Sequence, residues 1–555
     1  MVVPGKMVDE TRPAGVEEEP SNSPTPLQTD RCLSSLQEKS QSSNKNAGKP
    51  SHVNSASQVL ESHHQPPEHH EDSFGLHTDC GTTSSEDQIY VVKFEGDHDP
   101  MCPRSMSKIR KWIIINIVCM ATLCVTCASS IYTTTYTHMI AEFSTTPFIT
   151  TIGLSIFVLG IALGPLLTSP LSEWYGRRPV YLVSWSFFII WTITAAVSKN
   201  IQTMIVGRFL AGFTGGTFLS VSGGSVWDVF PRHEIQIPMI LVSTAPFLGP
   251  CLGPLIGGFI TSHIDWRWNH YFIIIWSVTL LLSIIFFAPE TYHPIKLEEK
   301  AEILRKQTGD CRYKALIKRS CTSRCRALAF SLLRPLQLII LEPMCLALDI
   351  YSAVLLGLLY LFFRTFNLLF TTTYGMELWQ VGLSFLGIIS GMILAASSIP
   401  LWQRIKDRLL AGRGKETDES EPEYRLIPAI PGGVLIPVGL FWFGWSMDSN
   451  IHWIVPIIGS AIFGCGTVLV FTGIFTFLVD AYPQYAASAL AGNGFVRASF
   501  GAAFPLFAIQ MYDALGYHWA TSLLAFITVI LMPLPWVFFK YGEAIRGRSK
   551  FALRP

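Results

Sequence analysis

Three charged side chains fall inside apolar runs where charge is otherwise rare: Arg208 within VGRFL, Asp349 and Arg497. A charge near the centre of a bilayer-spanning helix costs on the order of 3 kcal/mol on insertion scales, so a residue of this kind points to a task. An acid in apolar surroundings that faces a cavity changes its proton affinity with access, and can alternate between a proton and a cationic ligand. Asp349 is placed for this, about eleven residues into its run, or ~16 Å at helical rise, near the middle of a span. Arg497 lies at a similar depth in another run. Two uses follow for the acid: a proton or cation site, or an ion pair with Arg497.

The elements that must carry these residues are legible in composition. Of 555 residues 49% are hydrophobic and only 15% charged, and the mean hydropathy is +0.36. This is the composition of an integral membrane protein. A bilayer core takes about 20 apolar residues per helix. Twelve such runs follow residue 110, the seventh from Leu338 to Phe363. The expected fold is therefore all-α, two six-helix bundles at 111–289 and 335–540. A basic loop at 290–334 joins them, and a short tail at 541–555 closes the chain.

The first 100 residues carry 17 Asp and Glu against 7 Lys and Arg and are rich in Ser, Pro, Gln and His. Residues 1–110 are expected to form a disordered acidic cytosolic tail, without a secretory signal. Its cluster His63, His64, His69 and His70 reads as a solvated group rather than a preorganised metal site. Of twelve cysteines several lie in spans, and Cys321 and Cys325 lack a second ligand pair, so neither zinc nor a disulfide framework is indicated. The stretch 289–334 holds 11 Lys and Arg against 5 Asp and Glu, which by the positive-inside rule puts both termini in the cytosol. The net charge of +1 gives no reason to expect a nucleic-acid partner. No paired catalytic carboxylates, nucleophile elbow or ATP-binding GxxxxGK[ST] loop is present, so neither an enzyme nor an ATP-driven pump is expected.

Four stretches resemble the major facilitator superfamily, and within it the fungal twelve-span drug:proton antiporters that include polyamine exporters: GPLLTSPLSEWYGRRPVY, GRFLAGFTGGTF, APFLGPCLGPLIGGFI, and HWIVPIIGS through AASALAGNGFVRASFGAAFPLF. The similarity runs from about Asp99 to Ala552. It implies a two-bundle carrier that works by alternating access with substrate handled between the bundles.

The superfamily's loop motif between spans two and three falls on Glu173, Gly176, Arg177 and Arg178, with Ser169 and Trp174 replacing its leading glycine and inner cation. An acid and a cation at a tight turn can exchange partners as the bundles rock, which biases two global states. The resemblance further implies that Arg208 helps couple protons to transport. The GP-x-x-GP-x-x-GG arrangement of Gly249, Pro250, Gly253, Pro254, Gly257 and Gly258 marks antiporters, which argues for export. Tyr351 and Tyr360, on the same helix as Asp349, are candidates to line a substrate cavity.

The resulting expectation is a proton-driven exporter of small amphipathic or cationic molecules such as drugs, polyamines or secondary metabolites. It would need no cofactor or metal and would work as a monomer in the plasma membrane or, alternatively, a vacuolar or other organelle membrane. A proton symporter for nutrient uptake and a transporter-like membrane sensor are the competing functions.

Overall fold

A chain this apolar must satisfy its backbone polar groups internally, and helices do so without help from water. The computed structural model describes residues 90–552 apart from 97–98, 232–233, 316–323, 413–420, 484, 548 and 550. The histidine cluster and Cys321 lie outside the described residues, and so do residues 1–89 of the acidic tail.

Among the described residues, eleven continuous helical stretches are long and apolar enough to cross a membrane: Lys108–Phe143, Pro147–Tyr175, Arg177–Ala196, Ile201–Val229, Gln236–His263, Trp268–Phe287, Pro343–Tyr374, Leu378–Ala411, Pro422–Trp445, Ile454–Ala481 and Ala486–Arg546. The last is 61 residues long and is broken at Gly516, whose φ of 74° and ψ of 165° no helix contains. Residues 486–515 and 517–546 are thus separate helices, and the spans number twelve. They are called spans one to twelve in chain order.

Span one packs on span five and span two on span four; in the second half span seven packs on span eleven and span eight on span ten. The halves touch chiefly through span two against span eleven and span five against span eight. Span seven is the most enclosed, with 83% of its most apolar window buried, and span six the least, with 28%. Helices at the seam between the halves are therefore central, and span six is left to face lipid.

The seventh run is divided. A helix Arg324–Leu341 precedes span seven, the chain breaks at Glu342, and span seven starts at Pro343. The expected start at Leu338 merged these two helices, although proline at a first helical position is a start signal. The connection between the halves also contains a helix His293–Thr308 and a strand, β2, Tyr313–Ala315.

That strand ties the N-terminal segment down. Strand β1, Tyr90–Val92, pairs with β2 in parallel, Tyr90 opposite Tyr313, and Arg312 lies over the Tyr90 ring. Asp99 closes the strap. Lys300 Nζ donates to its carboxylate at 2.6 Å, and the backbone N–H groups of Met101 and Glu95 donate at 2.9 and 3.2 Å. Burial pushes the Asp99 carboxyl upward, but Lys300 and the two backbone donors outweigh it and hold the group below its ordinary 3.8.

A depressed carboxyl stabilises the fold above its unfolded value and loses that contribution as pH falls through the folded one. Asp99→Asn is therefore expected to speed proteolytic cleavage at residues 93–96 at pH 7. The unaltered chain should show the same acceleration only below about pH 4. Equal cleavage of both at pH 7 would remove Asp99 from this role.

Candidate functional site

At the end carrying the inter-half connection, here the loop face, span two reaches Tyr175 and reverses at Gly176. Its φ of 96° lies where side-chain-bearing residues are strained, and a Cβ there would meet Glu290 Oε2 at 2.5 Å. Arg177 then opens span three, and the Arg177 and Arg178 backbone N–H groups donate to Glu290 Oε1 and Oε2 at 2.9 and 3.0 Å. A carboxylate here satisfies donors that a helix start leaves unpaired and suits its dipole. The Arg177 side chain turns inward. Its Nε donates to Asp228 Oδ2 at 3.1 Å and its Nη1 to Ser172 Oγ at 2.7 Å, while the guanidinium lies over the Tyr292 ring. Arg178 Nη2 donates to the Ile285 carbonyl.

The expected acid of this turn, Glu173, is not Arg177's partner. It is exposed on the last turn of span two, while Ser172 holds the inward position. One residue along a helix rotates a side chain by about 100°, which suffices to separate the two. The acids in contact are Asp228 at the end of span four and Glu290 at the end of span six. His293 Nδ1 adds a contact to Asp228 at 3.7 Å.

The second half repeats the arrangement. Arg425 at the start of span nine pairs with Asp480 at the end of span ten at 2.5 Å, as Arg177 pairs with Asp228. Glu423 beside it pairs with Arg546 at the end of span twelve at 2.7 Å, so spans nine and twelve are joined as spans three and six are. Glu290, Glu423 and Arg546 were not singled out in the sequence; the available signal was the Pro289-Glu290 pair closing the sixth run.

In the interior of the first half, Arg208 holds three backbone carbonyls. Its Nε donates to Gly153 O at 3.2 Å, Nη1 to Ala128 O at 2.7 Å and Nη2 to Ser129 O at 2.9 Å. The Tyr132 and Phe157 rings lie against the guanidinium at 4.2 and 4.3 Å. Arg208 is therefore a clamp that binds span four to spans one and two. From the same stretch of span one, Ser129 Oγ meets Tyr360 OH of span seven at 2.9 Å, a hydrogen bond between the halves.

Asp349 is fully buried. Asn493 Nδ2 donates to its Oδ1 at 2.9 Å and to Ser352 Oγ at 2.7 Å, and Cys345 Sγ donates to Asp349 Oδ2 at 3.6 Å. The ion pair with Arg497, one of the two uses open to the acid, is not formed. With span seven starting at Pro343, Asp349 is six residues or ~9 Å into its helix, whereas Arg497 is eleven residues or ~16 Å past Ala486. Asp349 therefore lies in the loop-face third of its span, not at the middle. Arg497 instead faces the rings of Phe475 at 4.9 Å, Phe247 at 5.5 Å and Phe471 at 5.6 Å.

The two tyrosines part company for a geometric reason. Nine residues turn an α-helix through about 180°. Tyr360 consequently faces span one at the seam, while Tyr351 is buried toward Gly433 of span nine and Met532 at span twelve. Tyr351 does not join a cavity between the halves.

Span five presents its glycines in two directions. Gly249, Gly253 and Gly257 lie on span one, where an added Cβ would land on Thr126, Ser130, Ile131 or Thr134. Gly258 faces span eight, with its Cβ position 2.9 Å from Leu378 O, and Gly382 returns the contact at 2.7 Å from Pro254 O. The halves thus meet backbone to backbone at the face opposite the loops. At the loop face, the Arg177–Asp228 and Arg425–Asp480 pairs each stay within one half.

Two six-helix halves with matched charge pairs and a seam of buried polar groups define a multi-pass membrane carrier. The profile of the Major Facilitator Superfamily matches residues 118–505, and the chain belongs to that family. It is 47% identical over 482 residues to "Efflux pump atB" of Aspergillus terreus, covering 86% of this chain and 93% of that protein. It is 41% identical over 470 residues to "Probable drug/proton antiporter YHK8" of Saccharomyces cerevisiae, covering 84% and 90%. Among solved structures, the proton:xylose symporter XylE shares the fold with a TM-score of 0.57 at 14% identity, over 78% of this chain and 97% of that one.

Proposed function

We propose that the protein exports a small amphipathic molecule in exchange for protons by alternating access, with the loop face in the cytosol. The observation that carries this reading is the packing of span five. Its glycines bring span five to backbone distance of spans one and eight and shut the face opposite the loops, while the Arg177–Asp228 and Arg425–Asp480 pairs of the loop face each stay within one half. A carrier shut at that face loads from the other. The relatives named as an efflux pump and a drug/proton antiporter support the outward direction.

In this scheme Asp349 is the proton-carrying group, since it is buried, is held by Asn493 and Cys345, and forms no ion pair among the described residues. Arg208 and Arg497 supply the fixed charges that couple proton entry to movement of the halves. Arg177 and Arg178, held by Asp228 and Glu290, form the hinge at which loop-face contacts are remade. The driving force is the proton gradient, with no cofactor, and the working unit is a single chain in the plasma membrane.

The test is efflux of a preloaded amphipathic fluorophore from yeast cells expressing the full chain, with and without a protonophore. Efflux should fall several-fold when the gradient is dissipated, and Asp349→Asn should flatten its dependence on external pH. Efflux indifferent to the protonophore would overturn the reading, and accumulation would make the protein a symporter. Unchanged pH dependence in Asp349→Asn would remove that residue from proton transfer.

A further inference from the structure

Charge inside the bundle is unbalanced. Six or more residues from the ends of the described spans, the charged side chains that are not exposed are three guanidiniums, Arg208, Arg364 and Arg497, against one carboxylate, Asp349. None of the three has a carboxylate within ion-pairing distance. Arg208 is held by peptide carbonyls, Arg364 lies over the Tyr136 ring at 4.8 Å, and Asp349 is engaged by Asn493 and Cys345. Buried charges are ordinarily paired because water is not there to solvate them. An excess of unpaired cations at a seam that opens and closes leaves room for an anion that comes and goes.

Arg497 is where that vacancy in the charge pattern is sharpest. Its Nε and Nη1 are buried and have no hydrogen-bond partner. The three rings facing it satisfy the charge through their π-faces and leave these N–H groups unused. The rings come from both halves: Phe247 belongs to span five, Phe471 and Phe475 to span ten, and Phe247 stacks on Phe471 at 4.3 Å. The Tyr360 hydroxyl, which bridges to span one, is within electrostatic reach of both Arg208 and Arg497. Aromatic surface, unpaired guanidinium donors and a seam between moving bodies thus coincide at one place.

We infer that the exported molecule is an amphipathic organic anion, a ring system bearing a carboxylate or sulfonate, with its acidic group taken by Arg497 and its ring by Phe247, Phe471 and Phe475. This rests on the exporter reading above and departs from the expectation of a cationic cargo. Charge-assisted hydrogen bonds from guanidinium to carboxylate are the strong ones in an apolar site. The assignment also fixes the electrical character of the cycle. One anion leaving as one proton enters moves two positive charges inward, so an inside-negative potential accelerates export; exchange of a monovalent cation for a proton moves none.

The experiment uses purified full-length chain in proteoliposomes with an imposed pH gradient and three probes of like shape: naphthalene-1-sulfonate, naphthalene-1-sulfonamide and (1-naphthylmethyl)trimethylammonium. Sulfonate is expected to be exported faster than the quaternary ammonium by about tenfold. An inside-negative potential should speed it further. Arg497→Gln should lower the sulfonate-to-sulfonamide ratio about tenfold, and Arg497→Lys should restore part of it.

Preference for the quaternary ammonium, or a ratio untouched by Arg497→Gln, overturns the inference while leaving the exporter reading intact. Failure of all three probes to move with the proton gradient overturns both. The order of the three probes in the unaltered chain decides the matter even if Arg497→Gln does not fold.

Discussion

Arg208→Ala is expected to lower transport per inserted molecule by on the order of 100-fold and to lower the melting temperature of the purified protein. Its side chain makes three hydrogen bonds to carbonyls of spans one and two, each of a kind that contributes about 1.5–3 kcal/mol when one partner is charged. Truncation leaves three carbonyls without their donor and removes the packing against Tyr132 and Phe157. Arg208→Lys keeps the charge but not the planar fork that reaches three acceptors at once. If charge alone were needed for coupling, the lysine variant would transport normally. The clamp geometry predicts that it recovers only part of the loss in both stability and transport. Full activity in Arg208→Ala would rule out a role for the residue in either.

Gly253→Leu is expected to abolish transport. A Cβ at position 253 coincides with the Ser130 hydroxyl and comes within 2.6 Å of the Ile131 backbone nitrogen and 2.9 Å of the Cys127 carbonyl. Side chains can rotate away from an intruder, but main chain cannot, so spans one and five must separate. Overpacking of this kind costs about 1–3 kcal/mol even where some relaxation is possible. Here the displaced stretch of span one carries Ala128 and Ser129, the carbonyl partners of Arg208, and the hydroxyl that meets Tyr360. Gly494→Ala supplies the control, for its Cβ would meet nothing within 4 Å and the substitution should leave efflux within twofold of the unaltered chain. Equal losses in the two variants would show that glycine content, and not contact with span one, is what matters.

The membrane class and the twelve helices could be read from hydropathy because lipid imposes a length and a composition on every span. The errors arose where one local rule covered two structures. Residues Leu338 to Leu341 are apolar enough to belong to span seven, but they end the preceding helix, and the Glu342-Pro343 step divides them. That shift of five residues moved Asp349 from the middle of its span to the loop-face third and separated it from Arg497.

Partner choice was the other illegible part. The turn residues Gly176, Arg177 and Arg178 are recognisable by their resemblance to the superfamily's loop motif, but the acids that hold Arg177 are 51 and 113 residues away in sequence. Glu173, four residues from Arg177, was the local candidate and forms no ion pair with it. In the same way Tyr351 and Tyr360 share a helix but not a face, a difference that residue type does not reveal and helical phase does.

The central claim is exchange of substrate against protons across a seam closed at one face. Its most direct test is proton movement in proteoliposomes of the purified chain with a trapped pH indicator and no imposed pH gradient. A gradient of transported substrate should drive protons in the direction opposite to the substrate, with the signal lost in Asp349→Asn. Protons moving in the same direction as the substrate, or substrate flux with no proton movement, would contradict the account.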